Sequence, residues 1–196
     1  MSKTVEFYFD VGSPASYLAY TQLPKICADT GARLIYMPML LGGVFKATGN
    51  ASPAMIPAKG RYMFQDLDRY AKRYGVPLKF NPHFPINTLI LMRAITGMQL
   101  HHPERFLAFT DCLFNALWVD GRSLDEPATV ATVLSEHGFN PEEVLALSND
   151  EAVKTALKEN TETAVKRGVF GAPSMFIDNQ LFFGQDRLDF VEEALR

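Results

Sequence analysis

The segment Phe7-Tyr8-Phe9-Asp10-Val11-Gly12-Ser13-Pro14-Ala15-Ser16-Tyr17-Leu18-Ala19 constrains this chain more than any other. Its first part, from Val5 to Phe9, is aromatic and β-favouring and reads as a strand. Ser13 is a favoured helix N-cap, and Pro14 suits the first helical position because proline has no N–H to leave unpaired. Ala19, Leu23, Ile26 and Cys27 then recur on one helical face, and Gly31 stops the helix. Leu34 to Met37 reads as a second strand, parallel to the first through a right-handed crossover. Such a junction aims the free N–H groups and the partial positive charge of a helix N-terminus at one point, which favours an anion there.

From about Phe45 to Arg167 the pattern is helical. Met63, Leu67, Tyr70 and Tyr74 share one face, and Gly75-Val76-Pro77 ends that helix. Asn87 is expected to cap a helix reaching Leu100. Pro103 is expected to open another, with Phe106, Leu107, Thr110, Leu113, Phe114 and Leu117 on one face. Pro127, Asn140-Pro141 and Asn149-Asp150 start three more, with stops at Gly138 and Gly168. Past Ala172-Pro173, Ser174 to Asp178 reads as a strand, Asn179-Gln180 as a turn and Leu181 to Phe183 as a strand. Asp186 is expected to cap a last helix. The order is β-α-β, a helical stretch, then β-β-α. This α/β order is that of a thioredoxin-like fold with a helical domain inserted between its N-terminal βαβ and C-terminal ββα units. The expected division is 1–45 with 168–196 for the thioredoxin-like domain and 46–167 for the all-helical insertion.

The 196 residues include 47% hydrophobic and 21% charged side chains, a balance that builds an ordinary globular core. A net charge of -3 argues against a nucleic-acid partner, which calls for a clustered basic excess. The most apolar run, Leu89 to Met92, is too short to span a bilayer, and the first residues lack the pattern of a signal peptide. A cytoplasmic location is the expectation. Cys27 and Cys112 are far apart in sequence and read as buried small hydrophobes. His83, His101, His102 and His137 show no metal-ligand spacing.

In a thioredoxin-type fold a Cys-x-x-Cys stands at the first junction and a cis-proline at the second. Here Ser13-Pro14-Ala15-Ser16 takes the first place and Gly171-Ala172-Pro173 the second. A site of that shape without its own sulfur points to a thiol borrowed from a small molecule. A free thiol has a pKa of about 8.5 and is only slightly ionised at neutral pH. A helix N-terminus with a Ser13 hydroxyl donor favours the thiolate. Ser13 is then a hydrogen-bond donor and not a nucleophile, since no Gly-x-Ser-x-Gly elbow and no nearby histidine accompany it. Taken alone, Ser13-Pro14 also reads as an ordinary helix start. If the Ala172–Pro173 bond is cis, the Ala172 backbone N–H and C=O are expected to be free to pair with an extended peptide such as glutathione.

Four stretches carry a resemblance. They are Phe7-Tyr8-Phe9-Asp10-x-x-Ser13-Pro14-x-Ser16-Tyr17-Leu18-Ala19; Gly49-Asn50 with Lys59-Gly60-x-Tyr62; Val169-Phe170-Gly171-x-Pro173-x-Met175-Phe176; and Phe183-Gly184-x-Asp186-Arg187-Leu188. In order and spacing the chain resembles, over nearly its whole length, the DsbA-like glutathione enzymes. These are the kappa-class glutathione transferases and the 2-hydroxychromene-2-carboxylate isomerases. The resemblance implies a homodimer that uses glutathione as cofactor. It implies that Ser13 meets the glutathione sulfur, that Pro14 belongs with it to the glutathione-binding residues and that Asn50 contacts the tripeptide. It also implies that Ala172 pairs with the cysteinyl backbone, and that Gln185 and Asp186 hold the γ-glutamyl end. Read alone, Asn50 is a turn residue, Asp186 an N-cap, and Lys59 and Arg187 surface charges.

Two enzymatic readings follow from the resemblance. In the isomerase reading, glutathione thiolate adds to the conjugated carbon of a ring-opened cis enone. Rotation about the resulting single bond and loss of the thiolate give trans-o-hydroxybenzylidenepyruvate, so the thiol is not consumed. In the alternative, a kappa-like transferase or peroxidase uses the same thiolate on a small electrophile. Trp118 in Phe114-Asn115-Ala116-Leu117-Trp118 is a candidate wall for an aromatic substrate, whereas Phe114 and Leu117 read as core. A third reading is a non-catalytic thioredoxin-like protein that holds extended peptides without any need for a thiol.

Overall fold

The computed structural model of the protein describes residues 2–196. β1 is Thr4–Phe9, α1 is Pro14–Thr30 and β2 is Arg33–Pro38. α2 is Leu41–Thr48 and, after a 3-10 turn at Pro53–Met55, α3 is Pro57–Tyr74. α4 is Leu89–His101, and α5, Phe106–Asn115, runs on into a π turn at Ala116–Asp120. α6 is Pro127–Glu136, α7 is Pro141–Asn149 and α8 is Glu151–Lys166. The chain returns to the sheet as β3, Ser174–Ile177, and β4, Gln180–Phe183. It ends with a 3-10 turn at Gln185–Arg187 and α9, Leu188–Leu195.

The strands form one sheet in the order β2-β1-β3-β4. β1 and β2 are parallel, while β3 runs antiparallel to both β1 and β4. The β-α-β start and the β-β-α end therefore meet in one sheet with β1 and β3 at its centre, the thioredoxin arrangement. Alternation along β1 builds two cores. Val5, Phe7 and Phe9 pack with α1 and with the helical layer that carries Met92, Ile95, Leu113 and Trp118. Tyr8 faces the other way and packs with Met39, Val44 and Phe176. The sheet and the inserted helices share the first core. Tyr17 Oη donates to Pro77 O at 2.8 Å, and Tyr20 Oη donates to Asp111 Oδ1 at 2.7 Å, so α1 is also pinned by hydrogen bonds.

Most stop and start signals act where expected. Gly31 and Gly75 both adopt positive φ as C-caps, of α1 and α3 respectively, a conformation in which glycine avoids a Cβ clash. The Asn140 and Asp150 side chains cap α7 and α8. Five expectations are corrected. Thr88, not Asn87, is the N-cap residue of α4; the Asn87 side chain instead accepts from Leu89 N at 3.0 Å. Pro103 does not open α5, which begins at Phe106 after a turn closed by Arg105 N donating to His102 O. Leu107 lies off the buried face of α5, 46% exposed. The β3–β4 turn is Asp178-Asn179, because Gln180 already pairs with Ile177. Asp186 caps no helix: it sits inside the 3-10 turn, and its carboxylate pairs with the Arg187 guanidinium. Among the described residues no helix is long and apolar enough to cross a membrane. Among them, too, no group of three His, Cys, Asp or Glu side chains is placed to hold a metal ion.

Candidate active site

The β1–α1 junction is a tight turn built around the Asp10 carboxylate. Asp10 is fully buried. Its Oδ1 accepts from Gly12 N at 2.8 Å, and its Oδ2 accepts from Leu41 N at 2.8 Å and from Thr88 Oγ1 at 2.9 Å. One carboxylate thus ties together the junction loop, the first residue of α2 and the N-cap of α4. Burial pushes its pKa above the ordinary carboxyl value of 3.8, and the three donors pull it back only in part. Gly12 fits because a Cβ there would lie 2.7 Å from Thr88 Cγ2. Two more groups of the helical layer close on the loop. Trp118 Nε1 donates to Val11 O at 2.7 Å, and Val11 N donates to Met92 Sδ at 3.4 Å.

This corrects the reading of Trp118 as a pocket wall: it is 1% exposed, and its indole N–H is spent on the loop backbone. Phe114 and Leu117 are core residues as expected.

On this support Ser13 is the N-cap of α1 and Pro14 its first residue. Ser13 N donates to Asp10 O at 3.0 Å. Ser13 Oγ accepts from Ser16 N at 3.1 Å and donates to Ala172 O at 3.1 Å. The two serines are not equivalent. Ser16 is completely buried with an Oγ that has no partner among the described residues, whereas Ser13 stands at the loop edge facing Ala172. Of the two hydroxyls, only that of Ser13 reaches the Ala172–Pro173 segment.

The Ala172–Pro173 bond is cis. The Ala172 C=O is not free as the sequence reading expected, because it already accepts the Ser13 hydroxyl. Its N–H has no hydrogen-bond partner among the described residues. Two contacts fix this segment. Gly184 N donates to Pro173 O at 3.0 Å, and Asn50 Nδ2 donates to Phe170 O at 2.8 Å. Asn50 thereby comes beside the Gly171–Pro173 loop, with its amide engaged in holding that loop.

A cleft of about 520 Å³ opens here. Ala172, Gln185 and Asp186 line it from the sheet side, and Lys59 and Tyr62 of α3 line it from the other. Gln185 is buried, and its backbone C=O accepts from Tyr74 Oη at 2.7 Å, which docks the 185–187 turn on α3. The Asp186 carboxylate folds back over Gly184, whose φ of 95° and crowded Cα admit only glycine. The structure therefore brings Ala172, Gln185 and Asp186 to one cleft; Ser13, only 5% exposed, does not line it and reaches it through its bond to Ala172 O, while Asn50 is tied to Phe170 O and Pro14 is buried. Lys59 and Asp66 put a cation and an anion on one wall, and the Asp186 carboxylate on the other wall is paired with Arg187. Glutathione carries carboxylates and an ammonium on an extended peptide, so these residues fit it.

Sequence reasoning missed the parts played by Asp10, Thr88, Met92 and Trp118. Asp10 was visible in the opening motif, but its partners lie 31 and 78 residues downstream.

Cys27 and Cys112 stand apart from this chemistry. Both are buried, burial raises the Cys27 pKa, and burial with the nearby Asp111 charge pushes Cys112 to about 11. Since the thiolate is the reactive form, the native protein is expected to be inert to Ellman's reagent and to release two equivalents only on unfolding. Rapid modification of the native protein with loss of activity would show instead that a sulfur of its own takes part.

Comparison with known proteins agrees with this geometry. The family profile described as a DSBA-like thioredoxin domain matches residues 4–196. A 2-hydroxychromene-2-carboxylate isomerase of Sphingobium xenophagum is 32% identical over 198 residues, spanning 100% of this chain and 99% of the relative. Glutathione S-transferase kappa 1 of Homo sapiens is 30% identical over 207 residues, spanning 100% of this chain and 92% of the relative. A solved 2-hydroxychromene-2-carboxylate isomerase superposes with a TM-score of 0.82 at 32% identity, covering 98% of this chain and 94% of the other. The chain belongs to the DsbA-like thioredoxin family, in the group formed by the 2-hydroxychromene-2-carboxylate isomerases and the kappa-class glutathione transferases.

Proposed function

We propose that the protein catalyses the glutathione-dependent cis–trans isomerisation of 2-hydroxychromene-2-carboxylate to trans-o-hydroxybenzylidenepyruvate, in the cytoplasm. The observation that carries this reading is the Ser13 hydroxyl, held at the N-terminus of a 17-residue helix opposite Ala172, with neither cysteine of the chain exposed. Full-length similarity to isomerases supports the choice of reaction. Bound glutathione supplies the thiolate that adds reversibly to the conjugated carbon of the substrate.

The residues of the chain bind and orient. Ser13 turns its hydroxyl from Ala172 O to the sulfur while Oγ keeps its bond from Ser16 N. Ala172 O, released, accepts from the cysteinyl N–H, and Ala172 N donates to the cysteinyl C=O, as in an added strand. Asp186 takes the γ-glutamyl ammonium, with Gln185 beside it, and Asn50 holds the Phe170–Pro173 loop in place. The thioredoxin-like part, 1–45 with 168–196, carries the thiol cradle, and the helical part, 46–167, buttresses it through Thr88 and Trp118. The exposed apolar side chains Met55, Ile56, Tyr62 and Phe183 beside the cleft favour a homodimer.

The test is an absorbance assay on 2-hydroxychromene-2-carboxylate with and without glutathione. Rapid approach to equilibrium only with the thiol, and no thiol consumed, is the expected result. No acceleration, with glutathione conjugated to another electrophile instead, would replace this reading by the kappa-type transferase, which the 30% identity to the human enzyme favours. Peptide affinity with no thiol dependence would replace both by a binding protein.

A further inference from the structure

A second cavity lies apart from the thiol cleft. A groove of about 770 Å³ lies between α2, α4 and α8. Its apolar lining includes Leu40, Leu89 and Leu157, and its charged lining is Lys46, Arg93, Lys154, Lys158 and Lys166 against only Glu151 and Glu162. That is a local excess of positive charge on a chain of net charge -3. The two carboxylates are already used: Glu151 pairs with Lys154 at 2.7 Å, and Glu162 lies 3.9 Å from Lys158. Arg93, Lys46 and Lys166 have no carboxylate within 4 Å among the described residues. Arg93 is the telling one, because it is half-buried on α4. A guanidinium partly withdrawn from water and left without an anion favours a ligand that brings one.

The groove is also built. Thr161 Oγ1 accepts from Leu40 N at 3.0 Å and donates to Leu157 O at 2.7 Å, which locks α2 to α8. Gly43 lets the two helices approach, since a Cβ there would lie 3.2 Å from Thr161 Cγ2. A rigid apolar floor under a cationic rim takes a small molecule with an apolar ring or short chain and one anionic head. We propose that the groove between α2, α4 and α8 is a second ligand site, separate from the thiol cleft, for a small amphipathic carboxylate whose head is held by Arg93. It needs neither glutathione nor Ser13.

Calorimetric titration of the intact protein with 2-naphthoate, with neutral 2-naphthamide as control, tests this. The carboxylate is expected to bind at least about tenfold more tightly than the amide, as one charge-assisted hydrogen bond implies. Arg93→Gln is expected to weaken it by roughly the same factor. The surface pair Lys46→Glu with Lys166→Glu is expected to weaken it too, and keeps the test decisive if Arg93→Gln fails to fold. Lys59→Glu, in the thiol cleft, is expected to leave it unchanged. Absence of binding, equal binding of the amide, or loss through Lys59→Glu with Arg93→Gln unaffected overturns the assignment.

Discussion

Ser13→Ala is expected to lower glutathione-dependent turnover by roughly ten- to a hundredfold while leaving the protein folded. A hydrogen bond to a charged group is worth about 1.5–3 kcal/mol, and a loss of that size at the sulfur translates into that range of rates. The same hydroxyl caps α1 by accepting from Ser16 N, so the variant also loses about 1 kcal/mol of stability. The two effects separate experimentally. Turnover is compared at saturating glutathione, and stability by urea unfolding. If the variant turns over like the parent under those conditions, Ser13 has no part in the chemistry.

The second large effect belongs to Asp10, which touches no ligand. Asp10→Ala leaves Gly12 N, Leu41 N and Thr88 Oγ1 without their acceptor. Each buried donor so stranded costs about 1–3 kcal/mol, and solvent reaching the part-buried Gly12 and Leu41 N–H groups reduces the total, so a loss of about 3 kcal/mol or more is expected in urea unfolding. The pH dependence carries a sign. Burial holds the folded-state carboxyl above its ordinary 3.8, so the folded protein keeps a proton that the unfolded chain releases. The contribution of this group to stability therefore falls as pH rises from about 3.8 through the folded pKa, and is flat above it. In Asp10→Ala that slope disappears. A variant as stable as the parent would mean that the three donors find other partners.

The local grammar of the fold was legible. The Ser13-Pro14 start, the Gly31 and Gly75 stops and the Asn140 and Asp150 caps all act between neighbours, where spacing carries the information. What escaped was long-range. Trp118 reads as a candidate pocket wall until its N–H is seen on Val11 O, 107 residues away. Ala172 O reads as free until the Ser13 hydroxyl is seen on it, 159 residues away. Asp186 reads as a cap because an aspartate before an apolar helical face usually is one; the 3-10 turn and Arg187 take its carboxylate instead. The ends of the site lie at the two ends of the chain, and the β1–β3 pairing and the Ser13–Ala172 hydrogen bond bring them together.

The central claim is that this site ionises a thiol that the chain does not itself supply. Its most direct test is the ultraviolet thiolate absorbance of glutathione bound to the protein, titrated against pH. A midpoint at least about one unit below the free-thiol value of about 8.5, returning towards that value in Ser13→Ala, is the predicted result. A bound thiol that titrates like the free one, or a midpoint unchanged by Ser13→Ala, would contradict it.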